Sequence, residues 1–142
     1  MIRTMIRNSR HLGLALLALS PLLASAALID AGVTADKQTV QLDSERYQRN
    51  GDAVTAAIRI SFAEVQRVPF SDKTYVTAER VYHFQCADKQ FIAATGKMLD
   101  KAGAVVYEFD AAKNPFGAPK PQAVPEAGAE ALAFAAACKY KK

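Results

Sequence analysis

From Val54 to Phe62 the chain alternates, with Val54, Ala56, Ile58, Ile60 and Phe62 on one face and Thr55, Ala57, Arg59 and Ser61 on the other. A period of two marks a half-buried antiparallel strand. The same pattern returns over Glu79 to Cys86, where Tyr82, Phe84 and Cys86 share a face and Val81, His83 and Gln85 share its reverse. The aromatic residues identify the first set as buried, so Cys86 points to the core side. Thr39 to Leu42, Gln90 to Leu99 and Ala104 to Phe109 read as further strands. Turn chemistry separates these segments: Arg49-Asn50-Gly51-Asp52, Arg67 to Asp72 around Pro69, Ala87-Asp88-Lys89, and Asp100-Lys101-Ala102-Gly103. Successive hairpin connections predict an antiparallel meander of about five or six strands.

Lys113 to Pro125 holds Pro115, Pro119, Pro121 and Pro125, which disfavours a helix or a central strand and predicts an extended crossing segment. Glu126 to Lys139 is rich in alanine and predicts a helix, with Pro125 near its start. Ala131, Phe134, Ala135 and Cys138 recur at helical spacing, which places the cysteine on the face that carries Phe134. The fold class is therefore α+β, mainly β, with a C-terminal helix laid on the sheet. Residues 27–37 lack periodicity and read as a loosely ordered segment ahead of a single domain spanning 38–142.

The first 26 residues read as an export signal. Arg3, Arg7 and Arg10 lead an apolar run from Leu12 to Leu23, and Ala24-Ser25-Ala26 supplies small residues before a cut between Ala26 and Ala27. The run is too short to span a bilayer, which takes about 20 apolar residues. A mature chain starting at Ala27 has neither a lipidation cysteine at its first position nor an integral membrane span. It is expected in the periplasm or secreted, and not as a lipoprotein. Removing the leader also leaves 15 basic residues against 14 acidic ones, so the +4 of the whole chain falls to +1. The remaining cations are scattered apart from Lys139, Lys141 and Lys142, which argues against a nucleic-acid partner. That lysine-rich terminus reads as a frayed helix end.

Only Cys86 and Cys138 are present, and an oxidising compartment pairs them as a disulfide tying the helix to the sheet. The alanine face of the helix buries little apolar area, so the crosslink supplies hold that side chains do not.

Little in the chain points to catalysis. His83 is the single histidine after the leader and faces outward on its strand, with no second histidine or free thiol to join it at a metal. Glu108 and Asp110 share a strand face near its end and read as a solvated rim. No phosphate-cradling glycine loop or nucleophile elbow occurs. No catalytic residue, cofactor or metal is therefore expected. Tyr75, Tyr82, Phe84, Phe91, Tyr107 and Phe109 are assigned mostly to the core, with an exposed minority left for contact with a partner.

Taken with their order and spacing, several segments resemble the surface-adhesin protein E family of small exported bacterial proteins. They are Ser44-Glu45-Arg46, Arg49-Asn50-Gly51-Asp52, the strand Val54 to Phe62, Tyr82-His83-Phe84-Gln85-Cys86, Asp100-Lys101-Ala102-Gly103 and Ala135-Ala136-Ala137-Cys138. The resemblance spans roughly residues 38–140. It implies an antiparallel sheet with a disulfide-tethered C-terminal helix, and a protein-binding, adhesin-like role. Family members usually carry a Trp before the proline-containing segment; this chain has none, and Phe116 is read in its place. The expected function is a non-enzymatic envelope protein that binds a protein partner, either a host matrix protein or another envelope protein. The alternative is a periplasmic envelope-maintenance or inhibitor module.

Overall fold

The computed structural model describes residues 27–142, so the segment read as an export signal, Ala26 included, lies outside the described residues. Seven strands form one antiparallel sheet: β1 Leu28–Val33, β2 Thr39–Asn50, β3 Ala53–Arg67, β4 Thr74–Gln85, β5 Gln90–Leu99, β6 Val105–Asp110 and β7 Gln122–Ala123. The first six follow one another in spatial order, a pure meander. A 3₁₀ turn, Ala111–Lys113, follows β6, and the two-residue β7 then pairs beside the start of β5. The helix α1, Ala129–Lys139, lies chiefly over β1, β2 and β3.

The alternation that defines β3 fixes which face the helix covers. Val54, Ala56, Ile58 and Ile60 are buried together with Val40 and Leu42 of β2 and Tyr82 and Phe84 of β4. Tyr82 stacks on Phe84 with ring centroids 5.3 Å apart, and Phe134 of the helix meets Phe84 edge-on at 5.7 Å. Aromatic pairs in these geometries add to the area they bury. Cys86 and Cys138 are bonded, with Cα atoms 5.8 Å apart, a separation typical of a bridge that needs no backbone distortion. The hairpin turn after Asn50 has Gly51 at φ 60°, and Asp52 reaches across to accept the Ala87 amide at 2.9 Å. It thereby braces the β2–β3 turn against the β4–β5 turn next to the disulfide.

Four expectations are corrected at the N-terminal side and in the helix. Residues 27–37 are not loosely ordered: β1 pairs with β2, and Ile29 and Ala31 pack against the core. A bulge between Asp30 and Gly32 breaks the alternation that would otherwise reveal the strand. Gly32 sits at φ 124°, and a Cβ there would stand 3.3 Å from Leu132, so the glycine lets the helix close onto this edge. The strand expected at Thr39 to Leu42 runs instead to Asn50. Ser44, Glu45 and Arg46 form an irregularity whose Glu45 and Arg46 amides donate to Asp43 Oδ1, and the strand resumes at Tyr47, 4 % exposed.

The helix begins at Ala129, not at Glu126, because Gly128 at φ 102° ends the extended segment immediately before it. Its buried face is Ala129, Ala133 and Ala137; Ala135 is exposed, while Ala131, Leu132, Phe134 and Cys138 are half-buried. The expected stripe is therefore rotated. The smallest side chains face the sheet and set the close approach, leaving the bulkier ones to pack along the flanks.

Gly96 marks a second close contact, since Phe109 lies across it and an added Cβ would stand 2.2 Å from the ring. Gly96→Ala is expected to destabilise the domain by about 1–3 kcal/mol, the usual cost of overpacking. Urea unfolding measures it directly, and an unchanged midpoint would mean that Phe109 moves aside freely.

Candidate functional site

The residues with potential chemistry are dispersed. His83 is exposed on the face opposite the helix, and its Nδ1 lies 2.9 Å from Thr55 Oγ1. Asp110 is occupied structurally: Oδ1 accepts the Ala112 amide at 3.0 Å and Oδ2 stands 3.8 Å from Lys113 Nζ. Glu108 lies in register with Lys97 of β5. Among the described residues, no three His, Cys, Asp or Glu side chains are grouped as metal ligands.

Arg80, Tyr82 and Glu130 form a partly buried side-chain network that links sheet to helix. Arg80 donates to Glu130 Oε1 at 3.1 Å and to the Tyr82 hydroxyl at 3.3 Å, and that hydroxyl donates to Glu130 Oε1 at 3.3 Å. Burial pushes the Tyr82 phenol up to about 12, against the opposing influence of Arg80, so it remains a donor at neutral pH. Desolvation works against the Arg80 charge, but the Tyr82 and Glu130 oxygens outweigh it and raise the guanidinium pKa. The group is satisfied and closed, which suits holding α1 on β4 better than turning over a substrate.

The face away from the helix is different. Arg59, Glu79, Lys97 and Glu108 are consecutive cross-strand neighbours on β3, β4, β5 and β6. Such opposite-charge neighbours favour the sheet. Yet among the described residues the ion pairs within 4.0 Å are Arg80–Glu130 and Lys113–Asp110, so none of the row closes on its neighbour. In the next row Ala57, Val81 and Thr95 are small, and the row ends on Asp110 of β6. Arg46 of the β2 irregularity and Lys113 of the 3₁₀ turn take part in enclosing a groove of about 430 Å³ over Val81 and Thr95.

The β3–β4 hairpin carries the most unusual residue. Val68 is buried and Pro69 follows, Phe70 adopts φ 58°, and the Ser71 amide donates to the Val68 carbonyl at 3.2 Å. Proline second and a left-handed residue third is the pattern of a type II turn, which prefers glycine where Phe70 stands. The Phe70 side chain is fully exposed, at 110 % of its reference area. Two further bonds brace the apex: the Val68 amide to the Lys73 carbonyl at 2.9 Å and the Lys73 amide to Ser71 Oγ at 3.1 Å. A conformation that disfavours a bulky side chain is thus held by the loop while the ring points into solvent.

Other aromatic expectations divide. Tyr82, Phe84 and Phe91 are core, Tyr75 and Phe109 are half-buried, and Tyr107 is 45 % exposed. Phe116 does not take a packed role before the helix, because its loop leaves it 95 % exposed. The terminal segment is tied down at Tyr140, which corrects the frayed end expected there. Tyr140 meets Tyr47 edge-on at 4.8 Å, and its carbonyl accepts from the Tyr47 hydroxyl at 3.1 Å. Phe70 escaped the sequence reading because a turn with proline looks polar and neutral. The signal that could have found it is a phenylalanine where Pro-Gly would be usual.

The chain matches no protein-family model, and a search of curated proteins finds no match either.

Proposed function

We propose that this protein is an exported, non-enzymatic domain of the bacterial envelope that binds another protein, with the β3–β4 apex as an anchor. The observation that carries this reading is Phe70: an aromatic ring fully outside the fold, on a rigid turn whose geometry favours glycine. A left-handed backbone costs a side-chain-bearing residue roughly 1–2 kcal/mol, and the exposed ring gains no burial in return. Aromatic residues, phenylalanine among them, are enriched at protein interfaces. The disulfide, which suits an oxidising compartment, supports export. The adhesin-like role that the family resemblance implies belongs to the same reading.

Phe70→Gly separates binding from folding. Relief of the left-handed strain and the greater chain entropy of glycine nearly offset each other, so stability should stay level or rise by up to about 1 kcal/mol. Capture of the partner from envelope or host-matrix extracts by the immobilised protein should fall at least tenfold. Loss of folding with the substitution, or undiminished capture, would contradict the assignment.

A further inference from the structure

We infer that the open face of the sheet pairs with the same face of a second copy of this chain. The row Arg59, Glu79, Lys97, Glu108 alternates in sign across four adjacent strands, and its charges make no ion pair within 4.0 Å inside the chain among the described residues. Such a row is complementary to itself under one specific symmetry. A two-fold axis in the plane of contact, parallel to the strands and midway between β4 and β5, reverses the order of the row. Arg59 then faces Glu108 of the other copy, and Glu79 faces Lys97, giving four opposite-sign contacts. An in-plane axis at right angles to this one would set every charge against its own kind, so the charges select one orientation. Isologous contacts of this kind are the usual route to a dimer.

The neighbouring row does not obstruct the approach. Under the same axis Val81 faces Thr95 and Ala57 faces Asp110, so small residues lie at the centre of the contact with Arg46 and Lys113 at its rim. Four strands at about 4.8 Å spacing, each contributing about six residues at roughly 3.3 Å per residue, bury on the order of 800 Å² in both copies together, below the usual range of stable interfaces. The dimer is therefore weak, reversible and sensitive to salt, because its specificity comes from partly exposed charge. The helix covers the other face and the β3–β4 apex lies at the strand ends, so this contact is separate from the one proposed for Phe70.

Sedimentation equilibrium of the purified protein across a range of concentrations and salt tests the inference. A monomer–dimer equilibrium that weakens at least tenfold between low and high salt is expected. Arg59→Glu alone and Glu108→Arg alone should each weaken self-association at least tenfold, since each sets like charges face to face. Mixing the two variants should restore a dimer made of one copy of each, because Glu at 59 then faces Arg at 108 and the unaltered pair is kept. Circular dichroism confirms that both variants are folded, and the mixture needs no comparison with the parent's stability. A protein that stays monomeric at all concentrations, a dimer indifferent to both reversals, or variants that fail to associate on mixing would each overturn the inference.

Discussion

Cys86→Ser is expected to destabilise the domain by about 2–5 kcal/mol and to lower its melting temperature by roughly 10 °C or more. The bridge closes a separation of 52 residues, for which the chain-entropy model gives about 4 kcal/mol. Its structural position adds to the expectation. The helix presents Ala129, Ala133 and Ala137 to the sheet, and alanine buries little apolar surface compared with leucine or phenylalanine. Beyond the disulfide, the helix is held by the Arg80–Glu130 contact, Phe134, Leu132 and the Tyr47 hydroxyl, which donates to the Ala137 carbonyl at 2.9 Å. Without the bridge these contacts must retain α1 unaided. Thermal unfolding of the oxidised parent beside the variant measures the loss, and equal melting temperatures would show that the helix does not need its tether.

Phe84→Ala should cost about 3–5 kcal/mol, the range for emptying a fully buried aromatic site. Phe84 has no exposed surface and lies between Tyr82, Phe91 at 6.5 Å and Phe134 of the helix. The surrounding strands are fixed by their ladders and cannot collapse into the space. Phe134 loses its seat as well, one helical turn from Cys138. The two substitutions therefore act on one helix–sheet contact, and the double variant should depart from the sum of the singles. Urea unfolding of the four proteins gives both the individual cost and the coupling. Strict additivity would mean that the bridge and the aromatic cluster hold the helix independently.

What could be read in the sequence follows from how regular each segment is. The core strand from Val54 to Phe62 alternates without interruption, and the aromatic residues of Tyr82 to Cys86 name their own buried face; both were legible, as were the turns and the paired cysteines. The irregular segments were not. The bulge at Asp30–Gly32 concealed β1, and the polar Ser44-Glu45-Arg46 insertion cut β2 short before Tyr47. In the helix, a stripe anchored on Phe134 and Cys138 was the wrong one, because the closest packing on the sheet is made by Ala129, Ala133 and Ala137. The candidate surfaces depend on facts no local pattern contains. The charge row becomes visible only when the registers of four strands align Arg59, Glu79, Lys97 and Glu108, and Phe70 becomes unusual only when its backbone is known to be left-handed.

The central claim, that this domain works by binding a protein through its hairpin apex, is tested most directly by replacing Phe70 with a photoreactive phenylalanine analogue and irradiating intact cells. The same probe placed at Phe116, exposed on a different loop, serves as the comparison. The account predicts a discrete protein adduct from position 70 that is absent or much weaker from position 116. Equal adducts from both positions, or none from position 70, would contradict it.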